Sequence, residues 1–280
     1  MRVAPHWVRE KREIAGMLFR LQGYSFHSVE EARERLEEKA RLHGAMYGGG
    51  ALSPAEYRAA LRRLDEQPEA GEYTVVIAEE LLAEVDAQNV ITRNRYGAEV
   101  LNSEDTCFLD VDSFAPGLWG RMVRRLCGGR SDEELLLLAV RSLCREDATL
   151  GVRVYRTARG WRLAAAAQGL APVSAVMEKL CARLRVDALY RKLCVQQGCW
   201  RARLTPKPYR LRMPGGYPQP PASDAAAGEA AREWLELYQQ RSAGAAVCRL
   251  VDTVGAPLRG PIIALHDERT AALKPERHLC

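Results

Sequence analysis

The segment 106–112, Thr-Cys-Phe-Leu-Asp-Val-Asp, constrains the fold most, because its apolar, strand-favouring residues end in two aspartates spaced two apart. Successive side chains on a strand point to opposite faces, so Asp110 and Asp112 share one face while Leu109 and Val111 enter a core on the other. The spacing therefore predicts a buried strand that delivers a pair of carboxylates to one place. Two such carboxylates repel and call for a cation. The alternative is a strand end whose aspartates cap a turn or meet nearby arginines.

The flanking patterns predict strands mixed with helices, hence an α/β (α+β) chain with a mixed sheet and flanking helices. Residues 97–101 and 106–112 read as two paired strands joined by the polar turn 102–105. Residues 151–157 and 161–167 read as a hairpin around Ala158-Arg159-Gly160, with the glycine expected at positive φ. Helices are predicted at 28–42, opened by the box Ser28-Val29-Glu30-Glu31 and closed by Gly44, and at 53–66. Further helices are expected at 79–87, 131–144, 172–184, 187–198 and 225–241, and short strands at 17–23, 73–77, 200–204, 246–252 and 261–266. A Pro-rich loop, 205–221, lies between the strand at 200–204 and the last helix. The organisation expected is an N-terminal strand-helix-helix segment, 1–70, followed by an α/β domain, 71–280.

Composition enters as exclusion. Eight cysteines form no CxxC pair and have no histidine at ligand spacing, so a structural zinc site is not expected and the thiols read as small buried hydrophobes of a reducing cytosol. No apolar run approaches the roughly 18 residues of a membrane span, and the charged N-terminus does not read as a signal peptide, so a cytoplasmic protein with no membrane partner is expected. Walker, Rossmann, Gly-x-Ser-x-Gly and His-Glu-x-x-His patterns are absent.

Three groups of residues carry candidate chemistry. Asp110 and Asp112 are candidate ligands for Mg²⁺ or Mn²⁺, which take oxygen donors and keep open positions for water and phosphate. Around the hairpin, Arg156, Thr157 and Arg162 are candidate donors to a nucleotide triphosphate or nucleic-acid backbone; solvated arginines are the alternative. Residues 179–212 hold ten basic side chains against one acid, Asp187. Within that stretch Arg201 and Arg203 share a strand face, and the prolines flanking Lys207 hold it and Tyr209 in an ordered loop, a candidate nucleic-acid contact. At the C-terminal end, His266-Asp267 reads either as a surface pair or as a further carboxylate and proton-transfer group.

The runs Thr92-Arg93-Asn94-Arg95-Tyr96-Gly97, Phe108 to Asp112, Tyr155-Arg156-Thr157, Arg201 to Pro208 and Leu265-His266-Asp267 look like those of an uncharacterised bacterial protein family. More distantly, a strand ending in Asp-x-Asp followed by an Arg-Thr-x-x-Gly hairpin resembles the archaeo-eukaryotic primase and primase-polymerase superfamily. That resemblance implies a metal-dependent nucleotidyltransferase with Asp110 and Asp112 as catalytic metal ligands and a later acid, Asp187 or Asp267, completing the set. Asp267 is taken as the third catalytic acid. The superfamily's phosphate-contacting histidine on the hairpin falls near Arg162 here, a departure from the pattern. The alternative is a non-catalytic module on the same fold that binds nucleic acid or nucleotides.

Overall fold

The computed structural model describes residues 1–65, 75–112, 129, 131–166, 170–172 and 174–280. The fold is α+β, with seven α-helices among these residues and several antiparallel sheets.

The chain opens with a long hairpin, β1 (His6–Ile14) and β2 (Met17–Ser25), in continuous register from His6↔Ser25 to Ile14↔Met17. The sequence predicts only a short strand at 17–23, because the charged run Arg9 to Glu13 hides the alternation of β1. Helix α1 (Val29–Tyr47) starts as expected, with Ser28 accepting from Glu31 N at 3.1 Å, and lays Val29, Ala32, Leu36 and Ala40 against Val8 and Leu21 of the hairpin. It runs through Gly44, the expected stop. Phe19, His43, Tyr47 and Tyr57 of the following α2 (Pro54–Asp65) form one aromatic group, with ring centroids 5.2 Å apart for Phe19–Tyr47 and 5.9 Å for Tyr47–Tyr57. That packing outweighs the roughly 1 kcal/mol a mid-helix glycine costs.

Strands β3 (Glu80–Asp86), β4 (Asn89–Arg93) and β5 (Glu99–Ser103) form an antiparallel sheet completed by β9 (Trp200–Arg203). The helix expected over 79–87 is thus a strand. Its residues are good helix formers, but it is a bulged, half-exposed edge whose pairing to β4 decides the outcome. Of the strand expected at 73–77, residues 73 and 74 lie outside the described residues, and Ile77 makes an isolated bridge to Val3.

The second sheet has the order β11-β7-β8-β6, built from β6 (Cys107–Val111), β7 (Gly151–Thr157), β8 (Trp161–Ala166) and β11 (Cys248–Gly255). The expected company of β6 with the 151–167 hairpin is found, but its expected pairing with β5 is not. Ser103 and Asp105 fold the connection through side-chain hydrogen bonds, Ser103 Oγ to Asp105 Oδ1 at 2.9 Å and Thr106 N to Ser103 Oγ at 2.9 Å. The edge of β5 is then taken by β9, with Asn102 opposite Arg201. Tyr190 joins the two sheets, its hydroxyl donating to Phe108 O at 2.7 Å and lying 3.0 Å from Arg201 O.

Helix α3 (Asp132–Glu146), opened by the Ser131–Glu134 capping box, packs on β7 and β11, and α4 (Ala175–Leu184) packs on α3. Helix α5 (Ala188–Gln197) runs from an Asp187 cap to Gly198 at φ +64°, as expected. The Pro-rich loop contains a 3-10 turn, Pro208–Leu211, and its far end runs along β1, Arg9 N donating to Pro221 O at 2.6 Å. After α6 (Glu229–Ser242) and the short β10 (Ala245–Ala246), the strand predicted at 261–266 is instead helix α7 (Pro261–Arg269). Gly260 at φ +153° turns the chain and Pro261 starts the helix with φ already set. A last short strand, β12 (His278–Leu279), pairs with β10.

Gly160 is not at positive φ, against expectation; it is required for closeness. A Cβ there would lie 2.2 Å from Val111 O and 2.8 Å from Asp112 O, so the hairpin turn sits directly on the backbone that carries the aspartates.

Candidate functional site

The register of the second sheet aligns Tyr155, Arg162 and Asp110 in one row across β7, β8 and β6. Arg162, 2% exposed, donates from Nε to Asp110 Oδ1 at 3.0 Å and from Nη1 to Arg203 O at 2.8 Å. Burial opposes its charge, but the Asp110 carboxylate outweighs that cost and holds the guanidinium above its usual pKa. Arg162 is therefore a buried ion-pair partner that fixes Asp110 and clamps β8 to β9. It is not the free phosphate donor expected.

Behind this pair lies a second layer. His266 is wholly buried, with Nε2 3.5 Å from Arg162 Nη1, Nδ1 3.3 Å from Asp267 Oδ1, and its ring 5.0 Å from both Phe108 and Tyr155. Asp267 accepts from Tyr155 Oη at 2.7 Å and pairs with Arg153 Nη2 at 2.7 Å. Asp267, expected as the third catalytic acid, has its carboxylate engaged by the buried Tyr155 and His266 and by the partly buried Arg153. The acid that meets Asp112 is Asp187. The Asp187 backbone N–H donates to Asp110 O at 3.0 Å, its carboxylate caps α5 on Tyr190 N at 2.8 Å, and it shares a hydrogen bond with Asp112. Partial burial, then the hydrogen bond and charge of Asp187, then the charge of Asp110 push the Asp112 carboxyl up from its usual pKa.

Burial pushes His266 down to about 4. Its folded pKa lies below the ordinary value, so the neutral form is the one the fold favours. The resulting stability is complete above the ordinary value of about 6.5 and is lost as pH falls through about 4. Between pH 7 and pH 4 this costs about 3 kcal/mol. The expected outcome in urea titrations is that His266→Phe shrinks the pH 7 to pH 4 loss of unfolding free energy by about that amount; an unchanged loss would exclude His266 as its source.

The remaining candidates separate into two groups. Arg156 is exposed, lies over the Trp161 ring at 4.6 Å and reaches Glu133 at 4.0 Å, while Thr157 Oγ1 accepts from Gly160 N at 3.1 Å, a turn contact. Neither meets the aspartates. Arg201 and Arg203 do line one cleft, but Arg201 is 9% exposed and bound to Glu79 Oε2 at 2.6 Å and Gln197 Oε1 at 3.0 Å. Arg203 is different: its side chain has no hydrogen-bond or ion-pair partner among the described residues, and burial followed by the charge of Arg162 lowers its pKa. Lys207 is half-buried beside Arg203 and Asp112, its pKa lowered by burial and then by Arg203. Tyr209 is exposed, with the Arg210 guanidinium 5.8 Å from its ring centroid.

Three of the ten basic side chains at 179–212 are answered by acids from other elements. Arg183 pairs with Glu146 and Arg191 with Glu178 at 3.4 Å, as Arg201 does with Glu79. Glu79 was invisible as a site residue because its segment reads as a helix start.

A cleft of about 1060 Å³ opens between the β1–β2 hairpin, the β4–β5 turn, β9 and the end of the Pro-rich loop, with Asp110 and Arg203 in its wall. Among the described residues no group of three or more His, Cys, Asp or Glu side chains is arranged to hold a metal ion, all seven cysteines are free, and no helix is long and apolar enough to cross a membrane. The chain matches no protein-family model, no curated protein and no solved structure.

Proposed function

We propose that this protein is a metal-dependent nucleotidyltransferase acting on nucleic acid. The observation that carries the reading is the meeting of Asp110, Asp112 and Asp187 with Lys207 and with Arg203, whose side chain has no partner among the described residues, beside the basic cleft. Asp112 and Asp187, which share a hydrogen bond, and the Asp110 oxygen not engaged by Arg162 are oxygen donors of the kind that suits Mg²⁺ or Mn²⁺, although among the described residues the three are not gathered into a metal-holding group. Once bound, such a cation polarises phosphoryl oxygens and neutralises developing charge. The chain's own contribution is positional. Arg162 orients Asp110, the Asp187 cap ties α5 to β6, and Arg203 and Lys207 offer guanidinium and ammonium donors to nucleotide phosphates.

A second reading, a non-catalytic nucleic-acid or nucleotide-binding module, is favoured by the ion pair that already occupies one oxygen of Asp110. Extension of a labelled primer on a template with Mn²⁺ or Mg²⁺, beside salt-dependent binding of the same oligonucleotide, separates the two. Incorporation is the expected result. Binding without incorporation in either metal would leave the module.

A further inference from the structure

The two faces of the N-terminal hairpin are charged differently. On one, Arg12 is neutralised by Glu10 at 2.6 Å and Glu37 at 2.7 Å. On the other, Lys11 and Arg20 are direct cross-strand partners, both exposed, with no carboxylate paired to either among the described residues. Like charges placed opposite each other on a sheet destabilise it. Both line the cleft that Asp110 and Arg203 line. The next pair inward, Arg9↔Gln22, is anchored on one carbonyl, Ala78 O, at 2.5 and 2.9 Å, and Ala78 precedes the Glu79 that holds Arg201. A continuous line therefore runs from Lys11 and Arg20 through Arg9, Arg201 and Arg203 to the carboxylates. Beside it stands Tyr96 at the β4–β5 turn, 57% exposed, with Arg95 against its ring at 4.8 Å.

We infer that this cleft is the track of a single-stranded nucleic acid, with phosphates taken by Lys11, Arg20 and Arg203 and a base stacked on Tyr96. Lys11, Arg20 and Arg203, which have no carboxylate partner among the described residues, suit a polyanion, and an exposed aromatic face suits an unpaired base, since the bases of a duplex present no free face. The inference rests on the proposed function only for the class of ligand, and metal-free binding tests it apart from catalysis.

The decisive variant is Lys11→Glu, which turns the like-charge pair into an ion pair with Arg20. Its melting temperature should rise while its affinity for a fluorescent oligo-dT in EDTA falls about a hundredfold, the value of two charge-assisted contacts. The slope of log affinity against log salt should flatten by about 1.4, two phosphate contacts being lost. In the wild type, oligo-dT should outcompete a duplex of equal length, and Tyr96→Ala should weaken oligo-dT binding about fivefold or more. A Lys11→Glu protein that binds as wild type, or a duplex that competes equally, overturns the track. Normal oligo-dT behaviour without nucleotide incorporation leaves the track standing and removes only the catalytic reading.

Discussion

Asp112→Asn is expected to abolish nucleotide incorporation, by more than about a thousandfold, while leaving the fold and the salt-sensitive binding of oligonucleotides intact. The magnitude follows from the several kcal/mol that a bound cation contributes to transition-state charge, at 1.36 kcal/mol for each factor of ten. Stability should hold or rise slightly, because the raised pKa of Asp112 records partial burial first, then the hydrogen bond and charge of Asp187 and the charge of Asp110, costs to the carboxylate that the neutral amide does not bear. The Asp110→Asn, Asp112→Asn pair should be equally inactive but less stable, since Asp110 carries the buried charge of Arg162. Measuring incorporation, Mn²⁺ binding and urea midpoints on both proteins keeps the causes apart. An Asp112→Asn enzyme that retains incorporation ends the role given to this carboxylate, and one that loses only stability ends the catalytic reading.

Local pattern carried the elements whose neighbours are also local. The Ser28, Ser131 and Asp187 caps, the Gly198 stop and the β7–β8 hairpin all depend on side chains within a few residues, and they stand where the sequence put them. What failed depended on distant strands. Nothing between 79 and 87 announces that β3 becomes a sheet edge, and nothing in the polar turn at 102–105 announces that β9, a hundred residues later, will take the place of β6 beside β5. The site was legible to the same extent. Alternation in β6 placed Asp110 and Asp112, and the hairpin placed Arg162 near them. The hidden partners are Glu79, which cancels Arg201, and His266 with Asp267, which read either as a surface pair or as a further carboxylate and proton-transfer group and are buried. A charge count along the chain cannot see that Arg183, Arg191 and Arg201 are answered by acids from other elements.

Arg162→Met should cost about 3–5 kcal/mol of unfolding free energy, the largest stability effect expected of a single substitution in this site. The side chain is 2% exposed, and its removal strips Asp110 Oδ1 and Arg203 O of their donor and leaves His266 Nε2 facing an apolar chain. Part of the loss is the penalty of leaving the partly buried Asp110 carboxylate without its partner, so removing both ends should recover that part. Arg162→Met combined with Asp110→Leu is expected to be more stable than Arg162→Met alone by about 1–3 kcal/mol, so that the two single costs are far from additive, as for contacting residues in double-mutant cycles. Additive costs would mean that the pair contributes through packing only. The same cycle bears on function, because the conservative Arg162→Lys keeps the charge but loses the fork that spans Asp110 Oδ1 and Arg203 O. If Arg162 acts by orienting Asp110, Arg162→Lys should lower kcat for incorporation while oligonucleotide affinity in EDTA stays within about twofold of wild type, since its guanidinium reaches a carboxylate, the Arg203 backbone carbonyl and an imidazole but none of the side chains that take phosphate in the track.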